Sequence, residues 1–324
     1  MFKKWIWLLV IFGLFEFSSN DLSGKRLALI SYSKIPEYDI SNPPPLAVIG
    51  DLQRTSLFEI ILGREQNDEE RTKLANALSK EGTAVNILLG DMVFEGDNYS
   101  DWKYFDTLVK PIIRNHSALI PVMGNHEYFG NVRNGFKFIS ERFPQLSSST
   151  WSTMVYDSLG LIFLDSNFPQ LMGDGWNKQI KWYKETLAKM DTSSEIKGIL
   201  VFTHHPPFTN SKVTTDEIMV QKAFLQDFLN SSKTISFFSG HAHTYERFKE
   251  KGKMFIVSGG GGGPRVMLNK GKGCHDDLCS LPAPRPFHYL LLDRIGDELD
   301  IKVKGLPKST NQVKLIDEFT LSLK

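Results

Sequence analysis

Cysteine is nearly absent. Two in 324 residues exclude a small fold stapled by several disulfides and a thiolate-rich zinc knot. An excess of one charge is missing too: 38 lysines and arginines face 37 aspartates and glutamates. The composition therefore points to neither a nucleic-acid-binding surface nor an acidic tail. No apolar run reaches the about 20 residues of a comfortable membrane span. The chain has no internal repeat, and its run Gly259–Gly263 lacks the GK[ST] ending of a P-loop. What remains is the composition of a water-soluble globular chain.

The N-terminus stands apart. MFKKWIWLLVIFGLF places two lysines before an apolar run from Trp5 to Phe15. It fits a signal peptide or an N-terminal anchor over residues 1–20. The expectation is an exported protein, periplasmic or secreted, with membrane anchoring through residues 5–15 as the variant. An irregular segment, 21–45, ends in Pro43, Pro44 and Pro45. Residues 46–324 read as one domain. In an exported chain the C-x4-C pair Cys274 and Cys279 reads as a local disulfide. Zinc held by Cys274, His275 and Cys279 is the sharper rival.

Five short apolar runs each end in a polar signature. LAVIG leads to Asp51, VNILLG to Asp91, ALIPVMG to Asn125 and His126, GILVFT to His204, and TISFFSG to His241 and His243. Such runs read as strands buried on both faces. Between them lie helical patterns: NDEERTKLANALSKE, KQIKWYKETLAKM with Ile180, Tyr183, Leu187 and Met190 on one face, and Val220, Phe224 and Phe228. Alternating strands and helices give a layered α/β fold, with its chemistry beyond the carboxyl ends of the strands. WSTMVY with LGLIFLDSN, and the later runs YERFKEKGKMFIVSGG and FHYLLLDRIGDELDIKVKGL, read as antiparallel hairpins.

The strand-end residues sort by chemistry. Asp51 and Asp91 are hard carboxylates, Asn125 offers an amide oxygen, and His204, His241 and His243 offer imidazole nitrogen. Oxygen with imidazole suits manganese, iron, zinc or similar ions. Six such groups exceed one four-coordinate site and suit two ions sharing a carboxylate, a device for phosphoryl transfer.

GDLQ, GDMVF, GNHE, THHPP and GHAH, in that order, resemble the signature blocks of the calcineurin-like metallophosphoesterases. GHAHTYER is most similar to the purple acid phosphatase form of the last block. The resemblance implies an αββα sandwich of mixed β-sheets flanked by helices. It implies two divalent transition-metal ions and hydrolysis of a phosphate ester by a hydroxide bridging them. Phosphodiesterase, phosphoprotein phosphatase and non-catalytic metal-binding interaction protein are the alternatives. By this resemblance Asp51 and His243 serve the first ion, Asn125, His204 and His241 the second, and Asp91 bridges. His126 is the residue that protonates the leaving group, and Glu127 is a candidate partner for a ligand histidine.

Two positions depart from the pattern. The first block is Asp51-Leu52-Gln53, where Gln53 replaces the more usual histidine as a weaker ligand. Phe94 stands where purple acid phosphatases carry their iron-binding tyrosine. Arg54 and Arg247 are candidates to grip substrate phosphate, with surface salt bridges as the alternative. His205 is a candidate for substrate binding, or a neighbour bonded to backbone. The glycine run reads as a close backbone approach near the site. His116 and His288 read as structural.

Overall fold

The computed structural model describes residues 31–39, 41–307, 310 and 312–323. The leader reading for residues 1–20 lies outside them. No helix among the described residues is long and apolar enough to cross a membrane.

Among the described residues twelve strands form two sheets: β1 (Leu46–Ile49), β2 (Val85–Leu88), β3 (Ala118–Pro121), β4 (Ser152–Tyr156), β5 (Leu159–Phe163), β6 (Gly198–Phe202), β7 (Thr234–Ser239), β8 (Tyr245–Glu250), β9 (Lys253–Ser258), β10 (Phe287–Ile295), β11 (Glu298–Leu306) and β12 (Lys314–Ser322). The first sheet runs β12-β11-β10-β1-β2-β3, the second β4-β5-β6-β7-β9-β8. In the first, β1, β2 and β3 are parallel and β10–β12 antiparallel. In the second, β5, β6, β7 and β9 are parallel, with antiparallel β4 and β8 at the edges. The three hairpins expected from sequence are β4–β5, β8–β9 and β10–β11.

β1, β3, β5 and β6 are apolar at every position because both faces are covered, and alternate side chains enter different layers. Leu46 and Val48 of β1 join the core between the sheets, whereas Ala47 and Ile49 join the outer core. Leu200 and Phe202 of β6 likewise face inward, and Ile199 and Val201 outward. Phe202 stacks between Phe163 and Phe238 at 5.2 and 5.1 Å. Burying each such ring contributes about 1.5–3 kcal/mol and fixes the strand that presents His204.

The helices are α1 (Leu57–Ile61), α2 (Asp68–Leu78), α3 (Tyr99–Arg114), α4 (Val132–Arg142), α5 (Phe168–Leu171), α6 (Asp174–Thr192), α7 (Ile218–Val220) and α8 (Gln226–Asn230), with a π-helical turn at Gln221–Leu225. Leu74, Trp102, Phe105 and Ile139 from α2, α3 and α4 cover the first sheet. Tyr183 and Leu187 from α6, with Phe224 and Phe228, cover the second. The order is helix, sheet, sheet, helix, an αββα sandwich. Residues 31–39 are irregular, yet Tyr32 plugs the outer core beside Phe105 and Phe143 and donates to Asp106 at 2.8 Å. On α6 Tyr183, Leu187 and Met190 are buried as the pattern required, but Gln179 is buried where Ile180 was expected, and Ile180 is only partly covered.

Candidate metal centre

Both sheets bring their parallel strand ends to one place. Asp51 follows β1, Asp91 follows β2, Asn125 follows β3, His204 follows β6, and His241 and His243 follow β7. Asp51, Asp91, His241 and His243 all have left-handed backbone, with φ of 61, 50, 67 and 42°. Such a conformation costs a non-glycine residue about 1–3 kcal/mol and persists only where neighbours over-determine it. Here they do. Both carboxylate oxygens of Asp51 accept the His241 N–H at 3.0 Å. Asp91 Oδ1 accepts the His126 N–H at 3.0 Å. Glu127 accepts the N–H groups of Asp91, Met92 and Gly124 at 2.9, 2.7 and 2.8 Å, which ties the β2 and β3 turns together. Glu127 thus serves backbone and not a ligand histidine, a correction to the sequence reading.

The side chains form two donor sets that meet at one carboxylate oxygen. Asp91 Oδ2 lies 3.3 Å from His204 Nε2 and 3.3 Å from Gln53 Nε2. On one side, His204 Nε2 lies 3.0 Å from Asn125 Oδ1 and 3.1 Å from His241 Nδ1. On the other, His243 Nε2 lies 3.4 Å from Asp51 Oδ1 and 2.9 Å from Gln53 Nε2. The outer nitrogens are committed elsewhere. His204 Nδ1 meets the Leu89 carbonyl at 2.7 Å, and His243 Nδ1 meets the Pro264 carbonyl at 3.0 Å. In the neutral imidazoles those nitrogens donate, so the His204 Nε2 lone pair faces the oxygens of Asn125 and Asp91, while that of His243 faces Asp51 Oδ1 and accepts from Gln53 Nε2. A cation relieves that crowding, and the donor set suits one. Gln53 Oε1 is buried without a hydrogen-bond partner. Rotating its amide would bring this oxygen into the first set as a ligand.

The electrostatics carry the same signature. Burial alone would raise Asp91, but the His204 and His126 imidazoles outweigh it and hold the carboxyl below its ordinary range. Burial opposes a charge on His204, yet Asp91 pushes that imidazole up to about 9. His241 is lowered to about 3 by burial and by His204. A metal ion bound here would compete with a proton for His204, because ligand imidazoles bind in their neutral form.

Glycine makes the approach possible. A Cβ on Gly259 would lie 2.7 Å from Asp51 Oδ2, and one on Gly124 2.2 Å from Asp91 Oδ1. The glycine run accordingly packs against the centre. Arg71 locks it there, donating to the carbonyls of both Gln53 and Gly262 at 2.8 and 3.0 Å.

His126 stands beside the ligands but turns its ring elsewhere. Its Nδ1 meets the Phe94 carbonyl at 2.5 Å, and its ring packs between Phe94 and Phe129, with centroids 5.1 and 4.4 Å away. Nε2 stays 3.8 Å from Asp91 Oδ2. A cleft opens over the centre, lined by Gln53, Asp91, Phe94, His126, His241 and His243, with Glu59, Arg64, Val213, Thr214, Pro264 and Val266 completing its walls.

The remaining sequence candidates fall outside the cleft. Arg54 pairs with Asp68 at 3.3 Å and covers the Tyr104 ring. Arg247 pairs with Asp317 of β12 at 3.1 Å and lies over Phe319. Neither lines the cleft; each guanidinium already has a carboxylate and an aromatic face. His205 is not a lining residue either. It bonds Ser166 Oγ at 2.8 Å and packs on His241, and its ligand atom lies within 4.8 Å of those of His204 and His241. It thus neighbours the second set. Cys274 and Cys279 are free thiols. Their segment is pinned instead by Asp277, which pairs with Arg285 at 2.7 Å and accepts the Cys279 N–H at 3.0 Å. Cys274, His275 and Cys279 do not gather into a ligand group among the described residues, and His275 bonds Asp216 at 2.8 Å, so the rival zinc reading finds no support.

Sequence reasoning missed a support behind Asn125. Asn167 donates to the Met123 and Gly124 carbonyls at 3.1 and 3.3 Å. Asp165 accepts from Asn167 and from the Tyr128 hydroxyl, and Gln179 brackets the Asp165 backbone. The available signal was DSN directly after β5, a sixth polar signature read only as the end of a hairpin. Arg64 and Glu59 gave no comparable signal, apart from the capping box Ser56…Glu59.

The model of the calcineurin-like phosphoesterases matches residues 44–245. Among curated proteins, purple acid phosphatase 22 of Arabidopsis thaliana is 25% identical over 66% of this chain and 48% of its own length. Purple acid phosphatase 15 of the same plant is 30% identical over 51% of this chain and 33% of its own. The chain thus spans about half or less of those relatives. Among solved structures, a purple acid phosphatase from yellow lupin (Lupinus luteus) seeds superposes with a TM-score of 0.63 at 16% identity, covering 86% of this chain and 53% of that one. A dimetal phosphatase from Danio rerio gives 0.59 at 14% identity, over 87% and 100%. GAP50, described as the anchor in the inner membrane complex of Plasmodium, gives 0.62 at 14% identity, over 86% and 89%. These likenesses to solved structures concern the fold. The family match covers more than half of the chain and contains all the ligand candidates of both donor sets: the protein belongs to the calcineurin-like phosphoesterases.

Proposed function

We propose that this protein hydrolyses phosphate esters at a centre that holds two divalent transition-metal ions. The observation that carries the reading is the pair of donor sets sharing Asp91 Oδ2 at the floor of a cleft that His126 also lines. Asp51, Gln53 and His243 would hold one ion, and Asn125, His204 and His241 the other. When bound, such ions supply Lewis acidity and an activated water for attack on phosphorus.

The chain's own residues then have separable tasks. Asp91, fixed by Glu127 through its backbone, keeps the two sets in register. The Leu89 and Pro264 carbonyls hold the histidine tautomers that leave Nε2 free to bind. His126 donates Nδ1–H to Phe94, so a proton for the leaving group must come from Nε2, and the aromatic clamp of Phe94 and Phe129 aims that atom. With Phe94 lacking a phenol, the iron-loaded protein should show no strong phenolate–iron band.

The test is hydrolysis of nitrophenyl phosphate by purified protein loaded in turn with manganese, iron or zinc. We expect turnover with at least one metal and its loss on chelation. No turnover with any metal would favour the non-catalytic reading of the same centre.

A further inference from the structure

We propose that Arg64, with Thr214 in the same cleft walls, binds a second anionic group carried on the leaving-group side of the substrate. The inference rests on the hydrolase reading above and names the substrate class: phosphate esters whose alcohol bears a carboxylate or another anion.

Arg64 carries the one lysine or arginine head group lining the cleft, among the described residues. It follows α1, and its orientation is set by that short helix. Nη1 bonds Glu59 Oε1 at 2.9 Å. Glu59 in turn is held by the capping box, its Oε2 accepting the Ser56 N–H at 3.0 Å. Glu59 is thus fixed by backbone independently of Arg64. Nη2 and Nε of Arg64 have no other protein partner among the described residues, so the guanidinium fork keeps a donor pair for an anion.

Depth decides which part of a substrate it meets. Asp91 and Gln53 at the centre are 1% and 2% exposed, whereas the Arg64 side chain is 34% exposed. A phosphoryl group seated on the buried donor sets directs its leaving group outward, toward the level of Arg64. Thr214 belongs to the same walls, and its Oγ1 is buried with no hydrogen-bond partner. A buried hydroxyl left without a partner is unfavourable, and an anionic acceptor would satisfy it. The Ser211 hydroxyl holds the loop in place by accepting the N–H groups of Val213 and Thr214 at 3.1 and 3.2 Å. Glu59, the acid of the same walls, is paired with Arg64 and the Ser56 N–H, and Val213 and Val266 offer nothing polar, so recognition of a second anion falls to the free edge of Arg64 and to Thr214.

The experiment uses two esters that differ by one carboxylate, O-phosphoserine and O-phosphoethanolamine, as competitors of nitrophenyl phosphate hydrolysis by the metal-loaded protein. Wild type should bind phosphoserine the more tightly. Arg64→Ala should reduce that preference by roughly tenfold, the worth of one partly exposed charge-assisted contact. Arg64→Lys should restore part of it, and Thr214→Val should reduce it less. Three results overturn the proposal: no preference in wild type, an Arg64→Ala variant with the preference intact, or equal weakening of both competitors. The last would place Arg64 on the scissile phosphoryl group. If wild type fails to hydrolyse nitrophenyl phosphate with any metal, the hydrolase reading itself fails and takes this one with it.

Discussion

The β1–β2–β3 side of the centre supplies oxygen and amide, and the β6–β7 side supplies nitrogen. Asp51, Gln53, Asp91 and Asn125 come from the first sheet; His204, His241 and His243 come from the second. Neither sheet alone holds a complete donor set, because each set takes members from both. The hydrogen bond from the His241 N–H to Asp51 already crosses the gap, as does His204 Nδ1 to the Leu89 carbonyl. The lesson is that the metal centre and the packing of the two sheets are one construction. The inter-sheet core built from Val48, Ile87, Phe202 and Phe238 sets the distance at which carboxylate meets imidazole.

The largest break in this comparison should come from its hinge. Asp91→Ala removes the one oxygen common to both sets, so both ions should be lost and activity should fall on the order of 10⁴-fold. His241→Ala removes nitrogen from one set only and should leave about one ion per chain. Elemental analysis of the two variants separates them; equal metal loss would mean that Asp91 does not bridge.

Next in size is His126→Ala. No ligand is removed, so both ions should stay while turnover falls by about 10²–10⁴ on a poor leaving group. The loss should shrink with nitrophenyl phosphate, whose leaving oxygen needs no proton. Metal loss as severe as in His241→Ala would overturn the division between ligand and acid. Full rate on the poor leaving group would remove His126 from proton transfer.

A smaller effect tests the second sheet by itself. Burial raises the Glu246 carboxyl to about 7, above the ordinary 4.5, against the pull of Thr209 and Asn210. The folded state therefore holds a proton that the unfolded state has released. The stability this proton supports is complete below about pH 4.5 and is lost as pH rises toward 7. Thermal melts should show Tm falling across that window, and Glu246→Gln should flatten the fall. An unchanged slope in the variant would assign the pH dependence to other groups.

Much of this was legible in the sequence, and the reason is geometric. A residue at the end of a buried parallel strand has to follow an apolar run, so the candidates Asp51, Asp91, Asn125, His204 and His241 announced themselves by position as well as by type. Burial on both faces made the central strands readable, since it demands a continuous apolar run. What stayed hidden depends on tertiary placement. Arg64 reaches the cleft only because the α1 turn folds over it, while Arg54, adjacent to the first block, is drawn off by Asp68 and Tyr104. Arg247 is claimed by Asp317, far along the chain. Glu127 was read as a partner of histidine because its type suits that role; three backbone N–H groups in reach decided otherwise. The cysteines looked like a staple because of their spacing, whereas the Asp277–Arg285 pair holds that segment.

The central claim is that two sheets jointly hold two ions through one shared carboxylate. The most direct measurement is the metal content of purified wild-type protein after saturation and removal of free metal. The account predicts about two divalent ions per chain, released by chelation. One ion per chain, or none, would contradict it.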